Sequence, residues 1–95
     1  MADYITERII ASVKGRKIHA YDGWNGTSTI LTAEDITLSN DARFYAVSGV
    51  DTWGNKVSIS MLSAVFERLA AHPEAEAYQF ERIDGCGFHK TYKIL

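Results

Sequence analysis

Residues 56–73 read KVSISMLSAVFERLAAHP, and two apolar periods meet inside them. From Lys56 to Met61, the apolar Val57, Ile59 and Met61 alternate with Lys56, Ser58 and Ser60. That period of two is the mark of a strand with one buried face. The spacing then changes. Leu62, Val65, Phe66 and Leu69 fall at i, i+3, i+4 and i+7, which is one face of a helix. The hydroxyl of Ser60 is placed to cap the first turn. Pro73 disfavours helical geometry at His72 and stops the helix there. A helix is therefore expected over about 61–72, fed directly by a strand.

Hairpin patterns lie on both sides. Arg43 to Val50 is rich in aromatic and β-branched residues and pairs naturally with the strand at 56–61. Asp51-Thr52-Trp53-Gly54-Asn55 between them carries the Gly and Asn that tolerate positive φ. Downstream, Tyr78 and Phe80 alternate with Gln79 and Glu81, Asp84-Gly85 is a turn dipeptide, and Phe88, Tyr92 and Ile94 mark a further strand. The first third reads two ways. Ile5, Ile9 and Val13 fit a helical row, whereas Ile9, Ala11 and Val13 fit a strand. The abundance of Ile, Val, Thr and Tyr favours a hairpin of Tyr4–Val13 with Arg16–Tyr21 about Gly15. Thr32-Ala33-Glu34-Asp35 resembles a one-turn helix start. The expected fold is α+β: one domain over 1–95, mostly an antiparallel sheet of hairpins, with one main helix packed on one face.

Composition sets the class. The chain has 95 residues, 46% hydrophobic and 23% charged, the mix of an ordinary globular domain. A chain this short buries about two-thirds of its unfolded surface, so a partner or a symmetric homodimer could complete the core. Net charge is −2, with mildly basic ends and an acidic middle. The isoelectric point near 5.8 argues against a dedicated nucleic-acid binder, which usually lies above about 9. Cys86 is the one cysteine, so no internal disulfide can form. The start, Met1 to Glu7, lacks the pattern of a secretory leader, and no apolar run approaches the roughly 20 residues that cross a bilayer. A cytoplasmic protein without membrane contact is expected. Asn25-Gly26-Thr27 reads as a turn.

The densest chemistry is at Gly85-Cys86-Gly87-Phe88-His89-Lys90-Thr91. A thiolate near His89 and Lys90 could act as a nucleophile, but covalent catalysis also needs a base in reach and an oxyanion stabiliser. The simpler expectation is a Gly-rich turn with a small buried Cys86. The Lys-Thr ending is no phosphate loop, because that motif needs Gly before the Lys and a helix after it. Cys86, His89, His19 and His72 lack the close spacing of a structural zinc set, and neither metal nor cofactor is expected. Lys14, Arg16 and Lys17, with Arg8 nearby, form a basic turn that could hold phosphate beside Tyr21 and Trp24. Trp24 and Trp53 each lie in a Gly/Asn loop, and exposed loop Trp residues are frequent binding anchors.

The same C-terminal stretch resembles a loose group of short phage and prophage proteins. Their C-terminal part carries two strands followed by Gly-x-Gly-aromatic-x-Lys-Ser/Thr, and the likeness covers about the last half of this chain. The resemblance implies an origin on a mobile element and no particular activity. Small proteins from such elements are often binders that block or redirect host machinery.

Together these readings predict a non-catalytic protein-interaction module. It would be a phage-type inhibitor of a host defence or regulatory complex, with Trp24, Trp53, Asp22, Glu34, Asp35 and Asp51 as contact residues. The acidic loops would meet a basic partner surface. Two alternatives stand beside it. One is a small nucleic-acid-binding module using Arg8, Lys14, Arg16 and Lys17. The other is an enzyme centred on Cys86.

Overall fold

The computed structural model describes residues 4–95. Met1, Ala2 and Asp3, which entered the reading of the N-terminus, lie outside the described residues. The elements run α1 (Tyr4–Val13), β1 (Lys17–Asp22), β2 (Thr27–Leu38), β3 (Phe44–Asp51), β4 (Lys56–Leu62), α2 (Ser63–Ala71), β5 (Ala77–Ile83) and β6 (Cys86–Ile94). The six strands form one sheet in the order β4-β3-β2-β1-β6-β5, and every neighbouring pair is antiparallel. The α+β architecture built from hairpins is thus present, with two helices rather than one.

Three local expectations give way. Residues 4–13 are helical, not a strand. β1 already has β2 on one side and β6 on the other, so no ladder position beside it is free for this segment. A helix satisfies the same backbone groups internally and turns Ile9, Ile10 and Val13 onto the core. It ends at Gly15, whose φ of +87° suits glycine, and whose N–H reaches the carbonyl of Ala33 in β2 at 2.7 Å.

Residues 32–35 form no helical turn. They belong to β2, where the pairing with β3 shifts between Ala33 and Asp35. Glu34 is the extra residue of a bulge.

The main helix begins at Ser63, and Met61 and Leu62 remain in β4. Ser60 does not cap it: the cap position is Leu62, with no side-chain cap bond. Instead the N–H of Ser63 binds the carbonyl of Arg43 at 2.9 Å, and its hydroxyl donates to the carbonyl of Ala42.

The sheet is curled. Laid flat, six strands would put β4 and β5 about 24 Å apart at roughly 4.8 Å per step. Yet the N–H of Leu62 in β4 donates to Oε1 of Gln79 in β5 at 2.9 Å. Strand curvature brings the two outer edges together, and α2 bridges from one to the other.

The concave face carries Ile18, Leu31, Ala33, Tyr45, Val47, Met61, Tyr92 and Ile94, all buried. Phe66 and Leu69 of α2 pack into it, with the Phe66 ring stacked on Tyr45 at 4.3 Å.

Chain direction sorts the two ends. The turns β1–β2, β3–β4 and β5–β6 all open toward one end, here the tip end, but β3 stops opposite Leu31, so its turn stands four residues of β2 short of the β1–β2 turn. The β2–β3 turn and the links to both helices fall at the other, the helix end.

Among the described residues no helix is long and apolar enough to cross a membrane.

Candidate functional site

The two loop tryptophans share a construction. In Asp22-Gly23-Trp24-Asn25, Oδ1 of Asp22 accepts the N–H of Trp24 at 2.9 Å and that of Asn25 at 3.4 Å, and Oδ2 accepts Asn25 Nδ2 at 3.3 Å. In Asp51-Thr52-Trp53-Gly54-Asn55, Oδ1 of Asp51 accepts the N–H of Trp53 and of Asn55, each at 2.9 Å, and Oδ2 accepts Asn55 Nδ2 at 3.5 Å. An aspartate at a strand end thus folds the chain back around its own carboxylate, an Asx turn. Those bonds hold the Asp51 carboxyl below its ordinary value, the Asn55 N–H contributing most. Gly26 (φ +67°) and Gly54 (φ +83°) supply the left-handed residue that each turn needs.

Both turns open toward the tip end, at different levels. Trp53 is 84% exposed and Trp24 48% exposed. The Trp24 ring packs against Phe88 with centroids 5.4 Å apart. The register keeps them apart: Asp22 pairs with Thr27, whereas Asp51 pairs with Leu31, four residues further along β2 and opposite Ile18 near the start of β1. Glu34 and Asp35 lie at the β2 bulge, close to Lys56 at the foot of the Trp53 turn and away from Trp24.

The basic set is placed apart from Trp24 but beside the Trp53 turn, where Lys17 lines a pocket with Val50, Asp51 and Thr52. Lys14 and Arg16 lie in the turn after α1, Arg8 is on α1 with its guanidinium 5.7 Å over the Tyr4 ring, and Lys17 opens β1. All lie toward the start of β1. The length of β1 separates Lys17 from Asp22 by about 17 Å, so this turn and Trp24 do not form one site.

Cys86 is exposed rather than buried. It is three residues from His89 along one strand, which puts the two side chains on opposite faces of the sheet. Among the described residues no group of three or more His, Cys, Asp or Glu side chains is placed to hold a metal ion.

One patch escaped sequence reasoning. On the convex face of β5 and β6, Tyr78 and Phe80 are 58% and 56% exposed, and both rings meet His89 edge-on at 6.3 and 5.3 Å. The register Phe80↔His89 follows from the two-residue Asp84-Gly85 turn, in which both residues have positive φ. The signal was legible: counting outward from that turn pairs 80 with 89 and 78 with 91. Arg82, Lys93, Lys17, His19 and Tyr21 alternate onto the same face, which carries no acidic side chain on these three strands.

No family model matches the chain, and no curated protein or solved structure matches it.

Proposed function

We propose that this chain is a non-catalytic module that binds a host protein or protein complex through the tip end, with Trp24 and Trp53 as anchors. The observation that carries the reading is Trp53: a large apolar ring, 84% exposed, on a turn fixed by three bonds to Asp51. A pre-set aromatic loses little conformational freedom on binding, which is why Trp dominates interface energetics. Asp22 and Asp51 act as supports of the two turns. Support for a host defence or regulatory complex as the partner comes from the C-terminal resemblance. Affinity capture from host lysate, with and without nuclease, tests the reading. A stoichiometric protein that survives nuclease and is lost with Trp53→Ala supports it. A capture unchanged by Trp53→Ala and Trp24→Ala together defeats it.

One observation favours a second reading, single-stranded nucleic acid on the convex face. Tyr78, Phe80, His89 and Tyr21 offer stacking surfaces beside Arg82, Lys17 and Lys93. Bases stack on such rings with little regard to sequence. Binding of a labelled oligonucleotide that falls steeply with salt, and is lost with Tyr78→Ala and Phe80→Ala, would establish it.

A further inference from the structure

The helices cover the helix-end half of the concave face. The tip-end half remains open, and a cavity of about 270 Å³ lies there. Its floor is two tiers of the sheet. Thr29, Ala20 and Tyr92 stand side by side on β2, β1 and β6, and Thr27, Asp22 and Lys90 form the next tier. Ser58, Ile59 and Ser60 of β4 close the far side.

Three features make this a built site. First, Tyr92 is only 3% exposed and lines the cavity, and the little that reaches solvent includes its hydroxyl, which forms no hydrogen bond among the described residues. Burial first, then the negative charges of Glu81 and Asp22, push it up to about 12, so it stays protonated and able to donate.

Second, β4 presents unpaired backbone to the same space. The N–H of Leu62 leaves β4 on the side away from β3, to reach Gln79. The direction of N–H reverses with each residue along a strand, so the N–H and C=O of Ser60 and Ser58 leave by that free edge too.

Third, the charges are already matched. Lys90 Nζ lies 3.3 Å from Glu81 Oε2, and Asp22 is occupied by the N–H groups of its turn.

We propose that this cavity binds a small neutral polyol of monosaccharide size or less. Each hydroxyl of such a ligand both donates and accepts. That duality fits the Tyr92 and Thr hydroxyls on the floor and the alternating N–H and C=O groups of the β4 edge. The surroundings keep one negative charge, from Asp22 after Glu81 and Lys90 cancel, which disfavours phosphate and carboxylate ligands. The volume falls below the roughly 300–1,000 Å³ of sites for drug-sized molecules.

The test is an amide NMR titration of the intact chain with D-glucose, D-ribose and myo-inositol, each at millimolar concentration. Inorganic phosphate and diglycine are the comparison probes. At least one polyol is expected to move the amides of Ala20, Thr29, Ser58, Ser60 and Tyr92 and leave Trp53 still. Tyr92→Phe removes only the unpartnered hydroxyl. It is expected to melt at the same temperature or higher and to bind the polyol at least fivefold more weakly. Absence of localised shifts with all three polyols, shifts with phosphate or diglycine alone, or undiminished binding by Tyr92→Phe would each overturn the assignment.

Discussion

Oε1 of Gln79 accepts the backbone N–H of Leu62 at 2.9 Å, so a side chain joins the two outermost strands of a six-stranded sheet. Gln79 is the one buried polar residue among those described, 5% exposed, and its other end is used as well: Nε2 donates to Glu81 Oε2 at 2.6 Å. The latch therefore holds the curl of the sheet and orients Glu81 toward Lys90. Gln79→Met keeps the shape of the side chain and removes both bonds. The expected loss is about 1–3 kcal/mol, because the Leu62 N–H and the Glu81 carboxylate lose their partner. Urea denaturation measures it, and an unchanged midpoint would show that the edges need no latch.

Gly49 makes a sharper prediction. A Cβ there would lie 1.7 Å from the carbonyl oxygen of Thr32 and 2.8 Å from its carbon, both backbone atoms of the neighbouring strand at the β2 bulge. Neither can move without parting β2 from β3. Gly49→Ala should cost about 3 kcal/mol or leave the chain unfolded. Gly87→Ala is the control. Its Cβ would meet the Phe80 ring at 2.5 Å, and that exposed side chain can rotate away. Thermal melts of the two variants should differ widely.

Much of this fold was legible because turns and periods are local. Asp84-Gly85 announced the β5–β6 hairpin, and the change of period inside 56–73 announced β4 and α2 to within two residues. What local signals cannot carry is competition for a place in the sheet. Residues 4–13 have strand-like composition, but β6 returns from the far end of the chain to take the free side of β1. The bulge at Glu34 was hidden for a related reason. It sits where the Gly15 N–H donates to the Ala33 carbonyl and the Ala33 N–H donates to the Arg16 carbonyl, contacts across eighteen and seventeen residues of chain. Among the candidate site residues, the Asp-x-Trp spacing shared by residues 22–24 and 51–53 was visible in the letters. The cavity around Tyr92 was not, since it exists only once β4 curls over β1 and β6.

The turn aspartates predict an acid-side stability loss. The Asp51 carboxyl is lowered from 3.8, chiefly by the Asn55 N–H. Asp41 is lowered from the same value, chiefly by the Ser39 hydroxyl, which donates to it at 2.6 Å, and then by the Arg43 N–H. A carboxyl whose folded value lies below its unfolded one contributes stability that is present above the unfolded value and is lost as pH falls through the folded value. Both contributions should therefore be intact at neutral pH and fade below pH 3.8. Carboxyl carbon NMR titration should give midpoints below 3.8 for both residues. Asp51→Ala should also raise the mobility of the Trp53 ring, read as a drop in fluorescence anisotropy relative to the parent chain.

The two tryptophans should separate binding from folding. Trp53 is 84% exposed and touches no other ring among the described residues, so Trp53→Ala should change stability by no more than about 0.5 kcal/mol. Trp24 lies against Phe88 at 5.4 Å, and Trp24→Ala should cost about 1 kcal/mol through that pair and the area it covers. If the tip end is the interface, both substitutions weaken partner capture by tenfold or more, although only one weakens the fold. The ratio decides between two roles for Trp24. Capture falling equally in both variants makes the two turns a joint anchor. Capture that follows stability, lost with Trp24→Ala and kept with Trp53→Ala, makes Trp24 a lid on the core edge and removes the tip end as the binding surface.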